Sequence, residues 1–183
     1  MFMGLVGSEM CIRDSSVAAW NWGAYLGDDA GNQGVRVCIS KWKRISPQSF
    51  KPTAKGVGGY MNSTLAKVDA VENGYDDAIM LGDNDVVAEG SGQNLFLIKN
   101  GKIFTPPIET GALGGITRKT VIELASKLGL ETEEININAD QLKDADELFF
   151  TGTATEVVGV VSVDGEDISC LLYTSDAADE RLR

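Results

Sequence analysis

The 183-residue chain is long enough for one domain, or for one domain and part of a second. Its formal net charge of -11 argues against a nucleic-acid-binding protein, which needs a basic face. The absence of histidine excludes Ser-His and Cys-His nucleophile pairs and imidazole metal ligands, so we expect no metal site. No apolar run approaches the roughly 20 residues of a membrane helix. Three scattered cysteines predict a reducing, cytoplasmic setting without disulfides.

Both ends of the chain differ in composition from the residues between them. Residues 1–15 and 170–183 resemble translated sequencing-adapter read-through, so we exclude both tails from the functional interpretation. The alternative is that they are genuine arms. A signal peptide is disfavoured because Glu9 interrupts a short apolar run that has no basic region before it. Residues 16–169 are therefore predicted to form the functional domain.

The predicted domain alternates strand and helix patterns. An aromatic cluster at 20–26 is followed by strands and helices, and Asn100-Gly101 is the strongest short hairpin signal. Strands together with helices and hairpins favour an α+β, or mixed α/β, domain over a purely parallel sheet. Strands are predicted at 35–40, 77–81, 86–89, 94–99, 102–105, 133–137, 147–151 and 157–163, and a short helix at 139–143.

Two longer helices are predicted from the spacing of apolar residues, which indicates the side that each helix should bury. The first helix ends at Gly74, and the second spans about 117–128, with Thr117 as its N-cap and Gly129 as its stop. The apolar face of the first helix contains Met61, Leu65, Val68 and Val71, and that of the second contains Val121, Leu124, Ala125 and Leu128, with Ile122 at its side.

Three junctions between these elements could hold a phosphorylated cofactor. Lys55 precedes a glycine-rich stretch, where a bulky ligand can approach the backbone and an apolar setting can leave the amine uncharged. Glu89 ends an apolar strand before a Gly-Ser-Gly turn. The loop at 111–117 enters a helix N-terminus, where free N–H groups favour an anion. Taken singly, these features also suit a solvated lysine, a solvated glutamate and an exposed turn.

Five sequence strings in this order resemble the fold-type IV family of pyridoxal-phosphate enzymes, and among them most closely the branched-chain amino acid aminotransferases. The resemblance covers residues 18–167, and Glu89 follows Lys55 at the family's spacing. It implies the large cofactor-binding domain of the D-amino acid aminotransferase-like fold and pyridoxal 5'-phosphate as cofactor. The strings are KGVGGY, VVAEGSGQNLF, FTPP, GGITRKTVIELA and ELFFTGTATE.

The resemblance implies a role for each matching residue. Lys55 matches the catalytic lysine, which binds the cofactor covalently and moves the proton from the substrate Cα. Tyr60 matches the tyrosine on the cofactor's phenolic oxygen, and Glu89 the carboxylate on its pyridine nitrogen, which keeps the ring protonated. Further cofactor residues, mostly around the phosphate, are Leu113, Gly115, Ile116, Thr117 and Thr153. Implied substrate residues are Thr153, Ala154, Trp22 and Tyr25, although the last two could be plain core aromatics.

The implied reaction is transamination of leucine, isoleucine or valine with 2-oxoglutarate, which gives glutamate and branched 2-oxo acids. The implied partners are these small molecules, with no nucleic acid or membrane, and full-length relatives are homo-oligomers. Alternatives on the same scaffold are a D-amino acid aminotransferase or an aminodeoxychorismate lyase. A non-catalytic homologue that binds a phosphate ligand is the alternative from another class.

Several family features have no counterpart in the sequence. The N-terminal small domain, with an arginine that helps to bind the phosphate, is almost wholly missing, as is the family's C-terminal end. Gln93 stands where many relatives have glutamate, and Gly114 where many have proline. We therefore expect a gene fragment that binds cofactor poorly and does not turn over.

Overall fold

A computed structural model of the chain describes Ala19, Leu26 and residues 30–168. Both predicted tails and most of the aromatic cluster lie outside these residues. The helices of the described region are α1 (Ala30–Gln33), α2 (Val57–Glu72), α3 (Ile116–Lys127) and α4 (Ala139–Lys143), with 3-10 turns at Asp83–Asp85 and Ile108–Thr110. Its strands are β1 (Val35–Ile39), β2 (Asp77–Leu81), β3 (Val87–Gly90), β4 (Asn94–Lys99), β5 (Lys102–Thr105), β6 (Thr132–Glu134), β7 (Glu147–Gly152), β8 (Glu156–Val163) and β9 (Glu166–Asp167).

These strands form one mixed sheet in the order β3-β2-β1-β8-β7-β4-β5-β6, with β9 beside β8. β1 is parallel to both of its neighbours, and β5 is parallel to β6. The remaining pairs are antiparallel. This mixture of parallel and antiparallel pairing with flanking helices confirms the predicted α+β class.

The two faces of the sheet carry separate apolar clusters because neighbouring strand residues point to opposite sides. On β7, Phe150 belongs to the largest buried cluster, together with Val37, Ile79 and Leu95. The adjacent Phe149 lies in the cluster under α3, where its ring stacks on Phe96 at 5.0 Å between centroids. The central strands are therefore covered on both faces.

Helix α2 packs on the sheet with a different face from the one predicted. Ser63, Ala66 and Ala70 are buried, and the two alanines pack with Ala78 and Met80 of β2. Small residues allow the helix backbone to lie close to the strand, so the bulky residues point away. The predicted face is exposed, at Met61 (70%), Leu65 (41%), Val68 (49%) and Val71 (55%).

Helix α3 also departs from its prediction in two respects. It begins at Ile116 with Gly115 as its N-cap, so Thr117 lies inside the first turn and does not cap the helix. Ala125 is buried and packs with Val121 and Ile122, but Leu124 and Leu128 are exposed. The stop at Gly129 is confirmed, since this residue has a φ of 72° directly after the helix.

The hairpin predicted at Asn100-Gly101 is confirmed, because both residues have positive φ and join β4 to β5. The strand predicted at 133–137 is shorter and spans Thr132–Glu134. Ile137 nevertheless accepts a hydrogen bond from the Val87 backbone at 2.8 Å. Within the described part of the chain, no helix is both long and apolar enough to cross a membrane.

Candidate cofactor site

Four segments that are distant in sequence meet around one cavity of about 280 Å³. They are the loop that leads into α2, the end of β3 with the turn after it, the loop that leads into α3, and the end of β7. The residues predicted to bind the cofactor all line this cavity: Lys55, Tyr60, Glu89, Leu113, Gly115, Ile116, Thr117 and Thr153. Their individual roles remain predictions.

Glu89 is a deeply buried residue of the cavity wall and is only 3% exposed. Its Oε2 atom accepts hydrogen bonds from the Leu113 backbone N–H at 3.0 Å and the Asn94 side-chain amide at 3.2 Å. Its Oε1 atom pairs with the Arg44 guanidinium at 2.6 Å. The carboxyl group is therefore held in one orientation from both sides.

Burial raises the pKa of Glu89, because the charged form loses its hydration. The charge of Arg44 is the largest effect in the opposite direction, followed by the hydrogen bond from the Leu113 backbone. The pKa of Glu89 therefore reflects two opposing effects, because desolvation raises it and the direct partners of the carboxylate lower it.

A helix N-terminus and a buried hydroxyl provide further donors around the cavity. Among the described residues, no side chain caps helix α3, and the N–H groups of its first turn have no acceptor within the helix. Ile116 and Thr117 of that turn line the cavity. Thr151 also lines it, is fully buried, and has a hydroxyl with no hydrogen-bond partner among the described residues. These donors suit an anionic or strongly accepting ligand.

Lys55 and Tyr60 lie on the more open side of the cavity. Lys55 is exposed in the loop just before α2, and Tyr60 is 43% exposed in the first turn of the helix. Both residues line the cavity that Glu89 closes. An amine, a phenol and a buried carboxylate therefore surround one space.

The predicted substrate residues are only partly described. Thr153 lines the cavity from the turn after β7, whereas Ala154 is exposed in that turn and is not a lining residue. Trp22 and Tyr25 lie outside the described residues.

Three residues of the site were not identified from the sequence. Arg44 lies in a loop without any local motif. Its backbone N–H donates to Leu81 at 2.7 Å, and its side chain pairs with Glu89. The sequence did contain an indication of Asn94, because this residue ends the glycine-rich segment that begins with Glu89. Thr151 had a weaker signal as one of several hydroxyl residues at the end of β7.

Comparison with protein families gives one assignment for the chain. The family model for Amino-transferase class IV matches residues 13–163. The chain belongs to this family. The match includes every segment that lines the cavity.

Individual relatives agree with this assignment. The branched-chain-amino-acid aminotransferase of Pseudomonas aeruginosa is 46% identical over 166 residues, which are 91% of this chain and 53% of that protein. The crystal structure of the Escherichia coli branched-chain amino acid aminotransferase aligns with a TM-score of 0.83 at 40% identity, over 90% of this chain and 56% of that one. The structure of the Thermobaculum terrenum branched-chain amino acid aminotransferase in its PLP-form aligns with a TM-score of 0.72 at 40% identity. The alignment covers 74% of this chain and 44% of that one. The chain spans about half the length of the curated relatives it matches.

Proposed function

We propose that this chain forms the cofactor-binding part of a pyridoxal-phosphate-dependent transaminase that acts on branched-chain amino acids and 2-oxoglutarate. The single observation that carries the proposal is that the Lys55 amine and the buried Glu89 carboxylate line the same cavity. The relatives of known name support the substrate class, since those from P. aeruginosa and E. coli are branched-chain aminotransferases. The large-domain assignment for 16–169 and a cytoplasmic location are parts of the same proposal.

The residues present fit the cofactor. Its phosphate needs donors without competing acceptors, and the uncapped first turn of α3 supplies them. Its pyridine nitrogen, when protonated, needs a hydrogen-bond acceptor, and Glu89 is a buried carboxylate in the cavity wall. The Thr151 hydroxyl, which has no hydrogen-bond partner in the part of the chain that the structure describes, is a further donor that a polar ligand would satisfy. A non-catalytic phosphate binder would account for the helix turn but has no need of an amine near a buried acid.

Each side chain has a proposed task. The bound cofactor supplies an electron-accepting ring, which stabilises negative charge on the substrate Cα. Lys55 would hold the cofactor covalently and, once the substrate amine has displaced it, its free amine would move the proton at the substrate Cα. Glu89 keeps the proton on the pyridine nitrogen, and Tyr60 donates to the phenolic oxygen. Leu113, Gly115, Ile116, Thr117 and Thr153 hold the phosphate or shape its loop.

The substrate side of the proposal rests on fewer described residues. The Thr153-Ala154 backbone is proposed to donate to the substrate carboxylate, and Trp22 and Tyr25 to line an apolar side-chain pocket. Assembly into homo-oligomers is proposed for the whole protein.

The lysine role is tested by adding pyridoxal 5'-phosphate to the chain, reducing with borohydride, and mapping the modified residue by mass spectrometry. We expect attachment at Lys55 and its loss in Lys55→Ala. Lys51→Ala is the matched control, because Lys51 is an exposed lysine of the same loop that is not a cavity-lining residue. Equal labelling of the wild-type chain and Lys55→Ala would refute the lysine role.

The substrate class is tested by a single half-reaction on the cofactor-loaded whole protein that contains this chain. We expect L-leucine to change the absorbance of the bound cofactor faster than D-alanine or aminodeoxychorismate does. A faster change with D-alanine would contradict the branched-chain assignment and leave the cofactor assignment intact. Glu89→Ala is expected to slow the step at Cα by at least about tenfold, since electrostatic stabilisation of this kind contributes several kcal/mol.

A further inference from the structure

Arg44 connects the beginning of helix α2 to the buried carboxylate of the site. One guanidinium nitrogen, Nη2, pairs with Glu89 Oε1 at 2.6 Å, and the other, Nη1, donates to the Ser63 hydroxyl at 2.6 Å. Ser63 is 6% exposed, and it lies on the helix whose first turn carries Tyr60. The Arg44 backbone donates to Leu81 of β2, which fixes the loop against the sheet. The guanidinium is thereby held at both ends.

The partners of Glu89 leave it one accepting position. An ionised carboxylate offers about four lone-pair sites. The Leu113 N–H and the Asn94 amide occupy the two lone-pair sites of Oε2. The Arg44 guanidinium occupies one of the two lone-pair sites of Oε1. Within the described residues, the remaining lone pair on Oε1 has no donor, and Glu89 lines the cavity.

The charged surroundings of Glu89 make Arg44 the partner that matters most for its ionisation. Arg44 is the one cation in direct contact with the carboxylate within the described part of the chain. Arg118 of α3 acts only at longer range, because its guanidinium pairs with Glu134 and the Pro106 carbonyl. Lys55 and Tyr60 are the other titratable groups that line the same cavity.

We propose that Arg44 is a positioning residue that favours the ionised form of Glu89 and directs its remaining lone pair towards the cofactor's pyridine nitrogen, with Ser63 fixing the guanidinium. This inference rests on the proposed function for its last step only. Without the cation, a proton shared between the buried acid and the ring would move towards the acid. Ser63 lies on α2, the helix that follows Lys55. Its hydrogen bond to Arg44 therefore also makes the position of the Glu89 carboxyl group depend on that helix.

The first test needs no cofactor. Infrared difference spectra between the wild-type chain and Glu89→Gln give the pH titration of the Glu89 carboxyl group. Arg44→Met is expected to move its midpoint upward by roughly 1–3 pH units, the usual effect of one close opposite charge. Arg44→Lys keeps a cation and should restore more than half of that shift. Arg118→Met is the matched control, since it removes a buried guanidinium that does not touch Glu89, and it should move the midpoint far less.

Three results of this titration would overturn the proposal. They are a wild-type midpoint above pH 7, an unchanged midpoint in Arg44→Met, or equal shifts in Arg44→Met and Arg118→Met. If Arg44→Met does not fold at neutral pH, an uncompensated buried charge predicts that adding Glu89→Gln restores folding. A double variant that also remains unfolded would show that Arg44 serves packing and would refute the proposal.

The second test uses pyridoxal 5'-phosphate labelled with ¹⁵N in the ring. In the wild-type chain we expect the chemical shift of a protonated pyridine nitrogen, and in Arg44→Met a shift towards the unprotonated value. Failure of the wild-type chain to bind the cofactor at any concentration would refute the proposed function, while the carboxyl titration would still decide the role of Arg44. Binding with identical nitrogen shifts in both chains would refute the role of Arg44 alone.

Discussion

At the residue scale, a second buried carboxylate is held by a different set of partners from those of Glu89. Asp77 of β2 is fully buried and accepts hydrogen bonds from the Gln93 side-chain amide at 2.8 Å and from Lys67 at 3.1 Å. The side-chain amide oxygen of Gln93, Oε1, accepts from the Gly92 backbone N–H at 3.0 Å. An amide suits this position because it donates on one side and accepts on the other.

Gln93→Glu tests this arrangement. The substitution removes the donor to Asp77 and puts a second carboxyl beside it. We expect the free energy of unfolding to fall by about 1–3 kcal/mol at pH 7. Burial and the like charge would raise the folded-state pKa of the introduced carboxyl, so this destabilisation should shrink as pH falls towards about 4.3, the unfolded value. Urea unfolding at pH 7 and pH 5 measures both effects.

Gln48→Glu is the control for that experiment, because Gln48 is exposed. It adds the same charge and should change the stability by less than about 0.5 kcal/mol. Equal stability of Gln93→Glu and the wild-type chain at pH 7 would show that the site tolerates a shared proton without cost.

At the element scale, sequence spacing predicted where helices and strands occur better than which side each helix buries. The hairpin at Asn100-Gly101 was predictable because both residues tolerate positive φ. The buried side of α2 was not, since apolar spacing favours Leu65 and its neighbours, whereas contact with β2 requires residues as small as Ala66 and Ala70. Which face of α2 is buried depends on the distance between the helix and the sheet, and this distance is set by tertiary packing that local spacing does not encode.

A pair of adjacent substitutions in α2 checks this reversed face. Ala66 is 1% exposed and packs against β2, so Ala66→Leu should overpack that contact and lower the free energy of unfolding by about 1–3 kcal/mol. Leu65 is 41% exposed, so Leu65→Gln should change the free energy of unfolding by less than about 0.5 kcal/mol. Chemical denaturation of both variants gives the comparison. A larger loss for Leu65→Gln than for Ala66→Leu would support the face predicted from the sequence.

Two glycines at helix starts give another comparison between elements. A Cβ on Gly115 would lie 2.2 Å from Asn94 Oδ1, whereas a Cβ on Gly58 in α2 would meet nothing within 4 Å. Because Asn94 donates to Glu89, Gly115→Ala should displace it and lower both stability, by about 1–3 kcal/mol, and cofactor affinity. Gly58→Ala should stabilise the chain by about 0.5–1 kcal/mol. Thermal unfolding and cofactor titration of the two variants test this, and equal effects would contradict it.

At the scale of the whole molecule, the sequence predicted the class of fold but not the order of its strands. β1 pairs with β8, and this joins Val35 to Val160 across most of the chain. No local pattern encodes such a pairing. The site shows the same limit, because Lys55 and Glu89 were predicted from motifs, whereas Arg44 was found only through its position opposite Glu89.

Ligand binding across these distant segments should make the stability of the whole chain depend on the cofactor. A ligand that binds only the folded state adds about 2.7 kcal/mol at a hundredfold excess over its Kd. Pyridoxal 5'-phosphate should therefore raise Tm with increasing concentration. Pyridoxal at the same concentration should raise it less, because the first turn of α3 then lacks its anion. Equal shifts for the two compounds would place the phosphate away from that turn, and no shift with either would argue against the cavity as a cofactor site.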